Sequence, residues 1–176
     1  MKRIPALLLS LFMSTALFAQ SATSDYDVLK DKDGETIIFK GQCSFSDLQG
    51  EESFGWLSRG SEAYTPDKES IAYLRRNLPG YNLVVLMGTW CSDTQDLLPK
   101  LHKTLTNTAY PLAQLAMYGL DRAKETKYVE HKLYNAERVP TIIVIKNHNE
   151  VGRIIETPEG SIEKNLAAII KRNRGE

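Results

Sequence analysis

The unbroken apolar run Leu83 to Met87, L-V-V-L-M, constrains this chain more than any other segment. It has the length and the branched residues of a strand covered on both faces, so the fold must supply layers on either side of it. Gly88-Thr-Trp-Cys-Ser-Asp-Thr follows at once. Leu97, Leu98, Leu101 and Leu105 then recur at helical spacing, with Pro99 inside the pattern, where it is expected to kink the helix. A buried strand that turns directly into a helix delivers one side chain, Cys91, to the helix start.

The rest of the chain is read around that unit. Ser21 to Asp33 is polar and expected to be a loose lead-in, and Thr36 to Phe39 a short strand. Gly41 to Gly60 is expected to be irregular and fixed to the body by Phe45, Phe54 and Trp56. Thr65-Pro66-Asp67 signals a helix start with Thr65 as cap and Pro66 in the first turn. Ile71, Leu74 and Leu78 continue that helix, and Pro79-Gly80 ends it. Further strands are expected over Leu112 to Tyr118, Thr141 to Ile145 and Val151 to Ile155, the last two joined by a turn over Asn147 to Glu150. Helices are expected over Lys124 to Tyr134 and from a cap at Ser161 through Ile170. Alternating strands and helices imply an α/β layer structure, its parallel sheet extended by an antiparallel C-terminal hairpin.

A length of 176 residues allows one domain, and 42% apolar with 25% charged residues suits a globular protein. Basic and acidic residues balance at 22 each and are scattered, so no nucleic-acid partner is expected. Residues 1–20 differ in kind. Lys2 and Arg3 precede an uncharged apolar stretch from Ile4 to Phe18, with small Ala16 and Ala19 at its end. This reads as a secretory signal cleaved near Ala19 or Gln20, not as a membrane anchor, because the run is shorter than the roughly 20 residues a span requires. Residues 21–60 then form an N-terminal extension carrying the first strand, and 61–176 the domain core. His102, His131 and His148 lack metal-type spacing to any cysteine or acid cluster, so neither metal nor cofactor is expected.

Cys91 carries the chemistry. The unpaired N–H groups and dipole of a helix start stabilise an anion, and the thiolate is the reactive form of cysteine. A lone cysteine is often only a small buried hydrophobe. The flanking Trp90, Ser92, Asp93 and Thr94 suit an exposed turn instead, with Trp90 shielding one side of the sulfur. Asp93 is either a proton-transfer group or a favourable charge in the first helical turn.

Trp90-Cys91-Ser92-Asp93-Thr94 resembles the W-C-x-x-C site of the thioredoxin family. Pro99 stands where that family carries its helix-kinking proline. Val139-Pro140-Thr141 is similar to its cis-proline segment, and Asn147 to Gly152 to the hairpin that follows. The resemblance covers Leu83 to Arg172, with Thr36 to Leu78 as first strand and helix. It implies a thioredoxin-like three-layer sandwich with a mixed central sheet, a C-terminal antiparallel hairpin and a final helix. It also implies thiol–disulfide chemistry through Cys91, while the secretory signal without an anchor leads to the expectation of an exported, periplasmic protein. Trp90, Val139 and Pro140 would shape the groove, and protein or small-molecule thiols and disulfides would be the partners. Two departures stand out: Thr94 replaces the second cysteine, and Val85 occupies the place of the family's buried acid. Exchange then needs another thiol. Thr94 is expected to donate a hydrogen bond to the sulfur. Cys43 is a resolving partner for Cys91, a structural bridge to it, or an unrelated thiol. The alternative function is a binding or accessory module that has lost turnover.

Overall fold

The apolar run becomes β3 (Asn82–Met87), a central strand of a six-stranded sheet. In the computed structural model, which describes residues 24–176, the sheet also contains β1 (Asp25–Lys30), β2 (Ile37–Cys43), β4 (Leu115–Gly119), β5 (Thr141–Lys146) and β6 (Asn149–Ile155). The strand order is β1-β2-β4-β3-β5-β6. Only β3 and β4 run parallel, because the long helix α4 (Ser92–Thr108) provides the crossover between them. Every other neighbouring pair is antiparallel, which corrects the expectation of an otherwise parallel sheet. The secretory signal read in residues 1–20 lies outside the described residues. No helix among the described residues is long and apolar enough to cross a membrane.

Alternation along β3 divides its side chains between two unequal layers. Leu83, Val85 and Met87 join Phe39, Met117, Ile142, Val144 and Ile154 in the larger core. That face is covered by α1 (Phe45–Gly50), α2 (Gly55–Ala63), α3 (Lys68–Asn77), α4 and α6 (Ile162–Arg174), through residues such as Leu48, Leu57, Leu74, Leu101 and Leu166. Val84 and Leu86 point the other way, with Ile143, under the segment from Leu120 to Val139. The fold is α/β with a mixed sheet. Its second covering layer holds a single helical turn, α5 (Glu130–Leu133), in place of a packed helix.

Five local readings are corrected. The lead-in contains β1, whose register against β2 runs from Asp25–Gln42 to Lys30–Ile37. The segment 41–60 is ordered into β2, α1 and α2. Ser44 and Asp47 form a reciprocal capping box, and Phe45, Leu48, Phe54 and Leu57 are buried. Gly60 lets α2 approach α4, since a Cβ there would lie 2.8 Å from Pro99 Cβ. Asp67, not Thr65, caps α3, its carboxylate accepting from Ser70 N–H at 2.9 Å. The helix expected over Lys124 to Tyr134 shrinks to α5. Its apolar residues have no core to enter: Tyr128, Val129 and Leu133 are 57%, 63% and 70% exposed. Strand β4 also begins later than expected, after a 3-10 turn at Leu112–Gln114.

Glu163 ties α6 to the start of α3. It is 1% exposed. It accepts from Tyr64 O–H at 2.8 Å, Asp67 N–H at 2.9 Å and Ser161 O–H at 2.6 Å. Ser161 therefore occupies the N-cap position of α6 but spends its hydroxyl on Glu163. Burial pushes the Glu163 carboxyl up, but these donors outweigh it and hold the group below its ordinary value of 4.5. A depressed carboxylate contributes stability that is present above the unfolded-state value and lost as pH falls through the folded one. Glu163→Gln is expected to cost about 1–3 kcal/mol at neutral pH. It should also flatten the loss of stability below about pH 4.5, which denaturant unfolding across pH will show.

Candidate functional site

The site begins where β3 ends. Leu120 N–H donates to Met87 O at 2.8 Å, and Cys91 N–H closes a turn onto Gly88 O at 2.9 Å. Thr89 fixes that turn to β2, donating to Ile37 O at 2.9 Å and accepting from Phe39 N–H at 3.3 Å. Gln95 Nε2 donates to Thr89 O at 2.9 Å from the first turns of α4. Trp90 Nε1 donates to Leu120 O at 2.8 Å. The Trp90 ring lies against Gly88, where an added Cβ would be 2.7 Å from Cε2. This close approach is what requires glycine at that position.

Cys91 is the N-cap residue of α4 and is half-buried. Its thiol donates to Val139 O at 3.3 Å. The Val139–Pro140 peptide bond is cis, and both residues are buried. Their loop is held by Thr141 Oγ1, which donates to Arg138 O at 2.7 Å, and by Glu156 N–H, which donates to Pro140 O at 2.8 Å. A cleft of about 600 Å³ adjoins this loop, lined in part by Arg138, Thr141, Arg153 and Glu156. The structure thus brings together Trp90, Cys91, Val139 and Pro140, which lie far apart in sequence.

The remaining candidates are placed differently. Thr94 is fully buried beneath the turn and accepts from Gly88 N–H at 3.3 Å. Among the described residues it makes no hydrogen bond to Cys91, so the expected support of the sulfur gives way to support of the turn. Asp93 is exposed in the first turn of α4, where unpaired N–H groups favour a carboxylate.

Cys43 is a core residue, 5% exposed, on the face of the sheet covered by the long helices. It pairs with Met117 on β4, which pairs with Val85 on β3. The Cys91 sulfur lies at the β5 side, against Val139. Cys43 thus lies within the sheet, under the long helices, and Cys91 beyond the end of β3 at the start of α4. Both are free. Cys43 is buried and forms no bridge to Cys91 in this arrangement. Burial, reinforced by the Asp47 charge, pushes its thiol up to about 12.

Arg122 follows a strand end, and nothing in the sequence assigns it to the site. Its guanidinium carbon lies 4.5 Å from the Trp90 ring centroid, and its Nε and Nη2 reach Asp31 Oδ2 at 2.7 and 2.6 Å. The only signal was its position just after a strand end. Among the described residues, no group of three His, Cys, Asp or Glu side chains is placed to hold a metal ion.

No known family model matches the chain, and no curated protein matches it. Among solved structures, it is similar to a protein of unknown function from Pseudomonas aeruginosa. That likeness has 18% identity and a TM-score of 0.50, over 77% of this chain and 83% of that one. An HIV epitope-scaffold is similar to the same degree, with 18% identity and a TM-score of 0.50, over 74% of this chain and 82% of that one. These likenesses concern the fold alone.

The two thiols should therefore separate in a labelling experiment. In the folded protein at pH 8, iodoacetamide is expected to modify Cys91 and to leave Cys43 unmodified until denaturant is added. Peptide mapping by mass spectrometry reads this directly. Equal labelling of both in the native state would contradict the placement of Cys43.

Proposed function

We propose that this protein is a thioredoxin-like, exported thiol–disulfide exchange protein that works through Cys91 alone. The observation that carries the reading is the juxtaposition of a half-buried thiol at the N-cap of α4 with the carbonyl of Val139, 3.3 Å away, beside cis-Pro140. The Trp90-Cys91 pair at the strand-to-helix junction and the β5–β6 hairpin after the proline support the thioredoxin-like assignment. The uncharged stretch behind Lys2 and Arg3 supports export, with the periplasm as the compartment.

The exchange runs in two balanced steps. The Cys91 thiolate attacks one sulfur of a substrate disulfide R–S–S–R′, forming Cys91–S–S–R and releasing R′–S⁻, which takes up a proton. A second thiolate, R″–S⁻, then attacks the substrate-side sulfur, giving R–S–S–R″ and restoring the Cys91 thiolate. With Thr94 in place of a second thiol and Cys43 buried in the core and unbridged, R″–SH comes from outside the chain in this reading. It is a small thiol or a protein thiol, and no metal or other cofactor enters either step.

A second reading is favoured by that same absence of an internal resolving thiol. In it, the groove beside Val139 and Pro140 binds a partner chain and Cys91 does not turn over. Reduction of a generic protein disulfide in the presence of varied thiol donors separates the two. The exchange reading expects thiol-dependent activity that falls to background in Cys91→Ser and is unchanged, within about twofold, in Cys43→Ala. Absence of activity with every donor, while the protein still binds unfolded polypeptide, would establish the binding module instead.

A further inference from the structure

We infer that Arg122, held by Asp31, is a positioning residue for the site: it clamps the Trp90 ring and so fixes the wall of the groove beside Cys91. The inference rests on the reading of Cys91 as the reactive group. Three contacts converge on Trp90. Its Nε1–H is spent on Leu120 O, its ring abuts Gly88, and Arg122 lies over it with Cζ at 4.5 Å from the centroid. A guanidinium over an indole is attracted by the ring's electron density, and its planar fork suits a carboxylate partner. That partner is the side chain of Asp31, only 10% exposed, which takes Nε and Nη2 on a single oxygen. Asp31 itself is fixed by the turn after β1, where its N–H donates to Thr36 O at 2.9 Å and its carbonyl accepts from Gly34 N–H at 2.9 Å.

The consequence concerns the β1–β2 hairpin. Added at the sheet edge, it reaches the site twice: through Asp31 to Arg122 and Trp90, and through Ile37 and Phe39 to Thr89. The two residues before Cys91, Thr89 and Trp90, are thereby braced from the N-terminal end of the described chain. Arg122 touches no reacting atom in this arrangement. Its role is to keep an aromatic wall still while an extended disulfide-bearing chain lies between that wall and Val139.

The test compares Arg122→Ala, Arg122→Lys and Asp31→Asn in a Trp56→Phe background, so that Trp90 alone reports. Acrylamide quenching of Trp90 measures the clamp. Exchange of Cys91 with a peptide disulfide measures the wall, and alkylation of Cys91 by iodoacetamide measures the thiol itself. In Arg122→Ala, quenching is expected to rise and peptide exchange to fall about fivefold, while alkylation stays within about twofold. Asp31→Asn should move the same readouts in the same direction by less, and Arg122→Lys should recover part of the loss. Lys100→Ala, which removes an exposed ion pair on α4, is the control and should move none of them. Unchanged quenching in Arg122→Ala would overturn the clamp. An equal fall in peptide exchange and alkylation would overturn the positioning role. If the parent protein does not exchange with the peptide at all, the exchange function fails, and quenching still decides whether Arg122 holds Trp90.

Discussion

The burial of β3 on both faces is the constraint on which the rest of this structure depends. Leu83, Val85 and Met87 are sealed under the long helices, and Val84 and Leu86 under the segment that follows β4. At about 1.5–3 kcal/mol for each large apolar side chain, these residues supply a substantial share of the hydrophobic driving force. A strand held this tightly fixes where its last residue ends. The chain must then turn at Gly88, and the first residue able to start α4 is delivered to one place. That residue is Cys91, and the fixed end of β3 aligns it with the carbonyl of Val139, which precedes the neighbouring strand β5.

The two covering layers differ in kind. The helical layer is apolar and dense. The opposite layer, from Leu120 to Val139, is tethered largely by polar contacts: Lys40 to Asp121 at 2.6 Å, Lys127 to Asp25 and Asp27 at 2.7 and 3.0 Å, and Arg153 Nη1 to Tyr134 O at 3.2 Å. Partly exposed pairs of this sort contribute up to about 1 kcal/mol each. A layer with few buried apolar contacts opens locally at lower free energy than the core beneath it. Trp90 and Cys91 sit at the edge of this layer, packed against the smaller cluster of Val84, Leu86, Leu120, Val139 and Ile143. The site therefore joins a rigid half, which sets the sulfur, to a softer half, which forms part of its surroundings.

Much of this was legible in the sequence because the strongest signals were local. The L-V-V-L-M run, the leucine spacing of α4, the Val-Pro-Thr segment and the final hairpin each carry their own period or punctuation, and each forms. The hairpin turn is confined to Asn147 and His148, both at positive φ, 49° and 65°. What failed depended on tertiary context. β1 lacks an apolar face and is a strand only because β2 lies beside it. α1 and α2 are short and contain glycines, so their periodicity was hidden. Tyr128, Val129 and Leu133 mimic a helical stripe but have no core to enter. At the site, Trp90, Cys91, Val139 and Pro140 were legible as a resemblance. Arg122 and Asp31 were not, since 91 residues separate them and only the sheet brings them together.

The central claim is that Cys91, braced at the end of β3 and set against Val139, is where a disulfide is opened. The most direct measurement is to incubate the folded protein with an excess of a small symmetrical disulfide, stop the reaction with acid, and locate the adduct by mass spectrometry of unreduced peptides. One mixed disulfide per chain, carried on the peptide containing Cys91 and released by added thiol, is the expected result. No adduct, or an adduct on Cys43, would contradict it.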